Sequence, residues 1–201
     1  ETYDQPSPKL HNIVTLQEKA AELFGMDPVQ TYKIARGLYE KKRISFPGTS
    51  TDGINRRDYD NFKKDVYPRM LEIPAFKRFS DEGYRPVFTK SGKDEYSVDH
   101  GITLTAYPLV GLATEEKKIL ALIGLRMMET FSRSFRFRRT IVTLECAGQK
   151  FSKSYREVIR PGYKIFSQFG SLELCLRYVD VELGVGEVAV GVEGRLYELL
   201  Q

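Results

Sequence analysis

From Thr140 onward the spacing of apolar residues changes, and no single layer of structure can satisfy both patterns. The runs "TIVTLEC" (140–146), "KFSKSYREVI" (150–159) and "GEVAVGV" (186–192) are β-branched or alternating, and "AGQ" and "RPGY" punctuate them as hairpin turns do. Before that point the apolar residues recur at helical spacing. A helical region followed by a strand region implies an α+β chain in two sub-domains with a boundary near residue 139. Residues 1–9, with two prolines and no periodicity, read as an extended lead-in; 10–139 form the helical part and 140–201 the β-rich part.

Within the helical part, Thr15 is placed to open a first helix, with Glu18 at capping-box spacing and Leu16, Ala20, Leu23 and Phe24 on one stripe. Gly25 ends it. Asp27 then caps a second helix with Pro28 at its first position, Ala35, Leu38 and Tyr39 facing inward, and Lys41, Lys42 and Arg43 at its C-terminal turn. Two helices joined by a short glycine turn suggest a helix-turn-helix. A third helix is expected from about Arg57 to Leu71 with Tyr59, Phe62, Val66 and Met70 inward and Pro68 kinking or shortening it. Residues 80–108 read as loop, and Thr114 as the cap of a helix carrying Leu120, Ile123, Met127 and Phe131. There is no internal repeat.

Composition excludes several classes. At 201 residues, 41% hydrophobic and 29% charged, the chain can bury a core. It has no apolar run of 18 residues, and "ETYDQPSPKL" is not built as a signal peptide, so a cytoplasmic location without membrane partners is expected. A start at Glu1 fits a piece of a longer protein. Two cysteines, Cys146 and Cys175, and two histidines, His11 and His100, suit neither a disulfide framework nor a zinc site; both cysteines are read as reduced core residues. The net charge of +4 says little, but its placement says more. "YEKKR" (39–43), "NRR" (55–57) and "RSFRFRR" (133–139) gather positive charge among aromatics and hydroxyls, whereas the tail from Ser171 is acidic by comparison. Each run alone reads as a solvated face; three of them beside polar loops make nucleic acid an equal reading.

The loop "KKRISFPGTSTDG" (41–53) has the setting of a catalytic loop but holds no His, Cys, Tyr or carboxylate before Asp52. Its context, "LHNIVTLQEKAAELFGMDPVQTYKIARGLYEKKRISFPGTST" (10–51), resembles the start of the active-site domain of type IA DNA topoisomerases, particularly the topoisomerase III branch, where the run reads approximately LYDLTTLQ…FGFS…IAQ.LYEK..ISYPRTDS. "DHGITLT" (99–105) is similar to that family's HHAIIPT. "TIVTLECAGQKFSKSYREVIRPGYKIF" (140–166) and "LGVGEVAVGVEGRLYELLQ" (183–201) are similar to the β region of its strand-passage gate.

The resemblance implies a DNA-binding gate and a site that has lost its chemistry. The family's attacking Tyr is matched by Phe46, which has no hydroxyl to form a phosphotyrosine. Its phosphate-stabilising Arg is matched by Gly48, a loss that typically costs about 10²–10³ in rate. Its first His is matched by Asp99, a carboxylate that repels a phosphodiester. No cofactor is expected in this chain; the family's magnesium belongs to a toprim domain that the sequence lacks. Asp58 and Asp60 in "DYD" have a similar spacing, but they fall on a predicted helix without the preceding strand.

The DNA-binding candidates are Lys42, Arg43, Thr49, Ser50, Thr51, Arg56, Arg57 and His100, with single-stranded DNA and the toprim and remaining domains of the same protein as expected partners. Phe46 is expected in the core, or else stacked on a base. Thr49, Ser50 and Thr51 donate to phosphate or to their own turn. His100 reads as a satisfied, half-buried histidine or as a DNA contact. "RSFRFRR" reads as a connector with solvated Arg133, Arg136, Arg138 and Arg139 over buried Phe135 and Phe137, or as a backbone grip. The rival to DNA binding is an inactive structural or protein-interaction module that inherited the fold.

Overall fold

Among the described residues the helices gather around one long buried helix, Thr114–Thr130, and the strands form an antiparallel sheet that is mostly exposed. The structure, a computed structural model, describes residues 1–81, 84–87, 100–109 and 111–168. The order is β1 (Thr2–Gln5), α1 (Ile13–Phe24), α2 (Pro28–Glu40), α3 (Arg56–Asn61), a π-helical stretch (Phe62–Val66), α4 (Tyr67–Met70), α5 (Pro74–Asp81), α6 (Thr114–Thr130), β2 (Phe135–Cys146), β3 (Gln149–Arg160), a 3-10 turn (Gly162–Lys164) and α7 (Ile165–Gln168). The α+β class expected from the change of period holds.

The two capping signals behave differently. Asp27 caps α2 as expected, accepting from the amides of Val29 and Gln30, with Pro28 at the first position. The start of α1 lies two residues earlier than Thr15. Asn12 is its cap and accepts from the Thr15 amide, while Thr15 Oγ1 accepts from the Asn12 amide, so Thr15 fills the third helical position of the box and Glu18 has no part in it. The last turn closes on Gly25, left-handed at φ 63°.

On α1 only Leu16 and Ala20 are fully buried; Leu23 faces solvent, contrary to the expected stripe. On α2, Ala35 and Leu38 are buried but Tyr39 points outward. These faces close on α6, where Leu120, Ile123, Met127 and Phe131 are buried as their spacing implies. Thr114 begins α6 but Ala113 is its cap residue, and the Glu116 side chain accepts from the Ala113 amide.

The third helical run spans Arg56 to Met70 in three pieces. Pro68 has no amide to give the Lys64 carbonyl, and the backbone passes through a π turn just ahead of it, Tyr67 donating to Phe62. Tyr59 and Phe62 still reach the core, where the Phe62 and Phe131 rings lie 4.4 Å apart. Within the stretch read as loop, α5 extends to Asp81, and the Tyr84 hydroxyl donates to the Met128 carbonyl.

The sheet has the order β1-β2-β3, antiparallel throughout. Residues 2–5, expected as a plain lead-in, pair with Phe135–Arg138. β2 and β3 are joined by Ala147 and Gly148 at φ 51° and 75°, the two positive values that a type I′ turn requires. "RSFRFRR" is thus the root of a strand, not a connector. Arg136 and Arg160 pair with Asp4, Arg138 with Glu157, and Arg139 donates to Ser154. Phe135 is buried as expected, Phe137 stacks on Tyr3, and Cys146 is exposed at the turn rather than in the core. The strand expected at 186–192, and Cys175 with it, lie outside the described residues.

Candidate nucleic-acid interface

Residues 41–53 form no helix or strand of their own, so their backbone groups must find partners elsewhere. They find them on two sides. On one, residues 102–105 run antiparallel to 43–45: Ser45 and Thr105 donate their amides to the Thr103 and Arg43 carbonyls, and the Thr103 amide donates to Ser45 Oγ. On the other, the amides of Leu10 and Ile13 donate to the carbonyls of Asp52 and Thr49. The two walls meet where the Ile102 amide donates to the His11 carbonyl and the Gly101 amide to the Gly53 carbonyl. Gly101 permits that crossing, because a Cβ there would stand 2.4 Å from the Leu10 Cβ. Leu10, Ile44, Ile102 and Leu104 are buried beneath it.

Phe46 stands out of this frame. Its residue is 55% exposed, so the ring expected in the core lies at the surface, because Ile44 and Pro47 take the inward positions on either side. The ring rests edge-on against Tyr39, centroids 5.6 Å apart, and folds over Gly48. An Arg at 48 would have to displace it.

The hydroxyl end of the loop is a turn that bonds to itself. Thr49 is buried and its Oγ1 accepts from the Thr51 amide, while the Ser50 carbonyl accepts from Asn12. The Ser50 side chain is exposed and Thr51 half-buried. Asp52 closes the turn by pairing with Lys9 at 3.0 Å.

The basic entry to the loop is fixed by two contacts. Lys41 pairs with Glu116 at 2.6 Å. Burial pushes the Glu116 carboxyl up, but the Lys41 hydrogen bond, the Ala113 amide and the charges of Lys41 and Arg43 outweigh it and hold it below the usual range. Lys42 takes a left-handed φ of 58°, its carbonyl accepts from the Thr105 hydroxyl, and its ammonium sits 5.7 Å from the centre of the Tyr107 ring. Arg43 is half-buried, and its Nε finds no acceptor among the described residues.

The remaining candidates are split. His100 is half-buried, donates from Nδ1 to the Gly101 carbonyl at 2.6 Å, and stands beside the loop through the Gly101 to Gly53 bond. Arg56 and Arg57 open α3 just beyond the loop; Arg56 is bound to Asp60 across one helical turn, and Arg57 is exposed. Asn55 caps α3, accepting from the Asp58 amide and donating to the Asp58 carboxylate, so with Asp60 on Arg56 both carboxylates of "DYD" are taken up in local contacts. Asp99 lies outside the described residues. Tyr39, expected inward, turns its ring out against Phe46, while Tyr107, whose ring lies beside the Lys42 ammonium, and His11, which is buried under the crossing of the two walls, were not among the site candidates.

A family model described as DNA topoisomerase matches residues 1–173. The chain is 27% identical over 167 residues to DNA topoisomerase 1 of Methanocaldococcus jannaschii, covering 80% of this chain and 21% of that protein. It is 28% identical over 153 residues to DNA topoisomerase 3 of Dictyostelium discoideum, covering 75% of this chain and 18% of that protein. The fold is similar to that of full-length topoisomerase I from Thermotoga maritima, with a TM-score of 0.56 at 19% identity over 82% of this chain and 28% of that one. The chain therefore spans about a fifth of the length of these curated relatives.

Proposed function

The chain belongs to the type IA DNA topoisomerase family, and from that premise we propose that it holds single-stranded DNA along the 41–53 loop, as part of a strand-passage gate, without cutting the strand itself. The observation that carries this reading is Phe46. A 55% exposed phenyl ring stands at the tip of a loop whose backbone is bonded on both sides, where the resemblance to the family puts the attacking Tyr. A rigid loop that presents an aromatic face and lysines can position a strand. A phenyl ring cannot attack one.

Lys42, Arg43 and Arg57 supply charge toward the phosphates, and the exposed Ser50 hydroxyl can donate to them, whereas Thr49 is committed to its turn. His100 borders the same face. Magnesium is assigned to the family's toprim domain and not to this chain, since Asp58 and Asp60 are already engaged. No described helix is long and apolar enough to cross a membrane, and the DNA reading puts the protein with the chromosome in the cytoplasm.

The test is a titration of labelled single-stranded oligonucleotide at several salt concentrations. Weak binding is expected, with log affinity falling by about 0.7 per phosphate contact for each decade of salt. Lys42→Ala with Arg43→Ala makes the slope shallower, and Phe46→Ala weakens binding at unchanged slope. A folded sample that binds no strand at low salt would leave the protein-interaction module as the better account.

A further inference from the structure

Outside the sheet, the described residues expose just three aromatic rings by more than a third: Tyr39 at 44%, Phe46 at 55% and Tyr107 at 49%. All three lie near the entry to the 41–53 loop. Tyr39 and Phe46 touch edge to face, and the Lys42 amide donates to the Tyr39 carbonyl at 2.8 Å while its ammonium lies over the Tyr107 ring. The left-handed turn at Lys42 makes this possible, and Thr105 holds it from the facing wall through the Lys42 carbonyl. Tyr107 is tied to the same point, its amide donating to Thr105 Oγ1. The result is two pairs, ring on ring and ammonium on ring, joined through the backbone of Lys42.

Exposed rings cost free energy in water unless something covers them. Here each has packing at its edge or on one face only, and the cation among them excludes a purely apolar cover. A strand with unpaired bases supplies what both features need, since a base has a π-face and its phosphate carries the opposite charge. Bases within a duplex are already stacked and cannot offer that face.

We propose that Tyr39, Phe46 and Tyr107 form a base-stacking ledge around Lys42 that selects strands with unpaired bases, a proposal that rests on the DNA reading above. Charge then attracts any polyanion, and the rings decide which one stays. Neither tyrosine hydroxyl is needed, because stacking uses the ring faces.

A labelled single strand and an abasic deoxyribophosphate strand of the same length, titrated against the 201-residue chain at one low salt concentration, separate the two contributions. The base-bearing strand is expected to bind at least about tenfold more tightly. Tyr39→Ala with Tyr107→Ala should remove most of that advantage, lowering the affinity for the base-bearing strand far more than that for the abasic one, and Tyr39→Phe with Tyr107→Phe should keep it. Both residues are about half exposed, so these variants are expected to fold, which circular dichroism checks. Equal affinity for the two strands, or an advantage that survives the double alanine variant, overturns the ledge while leaving a charge-based DNA surface. A folded chain that binds neither strand overturns the DNA reading and the ledge together.

Discussion

The ring of Phe46 lies so close over Gly48 that a Cβ at 48 would stand 2.7 Å from Cζ. The two residues are thus one conformational unit. Gly48→Ala should swing the exposed ring away at a stability cost below about 1 kcal/mol, as for surface sites in general. Single-strand affinity should fall about as far as in Phe46→Ala, and the double variant should be no weaker than either single one. Additive losses would show that Gly48 acts independently of the ring.

Phe46→Tyr restores a hydroxyl and nothing else. With no cation at 48 to stabilise the charged phosphate, and with the Asp58 and Asp60 carboxylates taken up by Asn55 and Arg56, the variant is expected to give no covalent DNA complex after denaturation, with or without added magnesium. A recovered phosphotyrosyl adduct would overturn this.

His11 is 1% exposed, and burial, then the charges of Arg126 and Lys19, push its imidazole down to about 3 from 6.5. Arg126 also pairs with Glu129, whose carboxyl burial raises. The unfolded chain therefore takes up a proton on His11 near pH 6.5 that the folded chain refuses. The contribution of His11 is complete above that pH, and stability is lost at about 1.4 kcal/mol per pH unit on descending from there toward 3. Denaturant titrations at pH 6 and pH 5 should show this slope in the unaltered chain and a shallower one in His11→Gln.

Ala147 carries its positive φ of 51° without the freedom of a glycine, at a cost of roughly 1–2 kcal/mol. Ala147→Gly should remove most of that strain and slow hydrogen exchange of the Cys146 and Gln149 amides. Ala147→Val should speed it.

What could be read from the residues depended on how local the cause was. Asp27 and Pro28 cap α2 with groups two and three residues away, and the spacing of Ile123, Met127 and Phe131 needs only one helix to make sense. The start of α1 was misplaced because Asn12 and Thr15 share one box and either could head it. Phe46 and Tyr39 looked inward because aromatic residues usually are. The exposure of Phe46 follows from Ile44, which residues 102–105 draw into the core from some sixty positions away. Likewise the sequence 1–9 held no sign of its partner strand at 135–138.

The walls of the loop, residues 10–13 and 100–105, also set when it can exist. Helices α1 and α2 depend on neighbours in sequence and can form early, but the loop between them and α3 has no complete frame until Thr105 arrives. Closing so long a stretch has an entropic cost that must be met before its contacts return anything. Interactions across that seam, such as Ser45 with Thr103, are expected on the late side of the folding barrier, so Ser45→Ala should speed unfolding far more than it slows folding. On the ribosome the consequence is a delay: a chain synthesised only as far as Asp81 has both helices and the whole of the loop sequence, but only one of the loop's two walls.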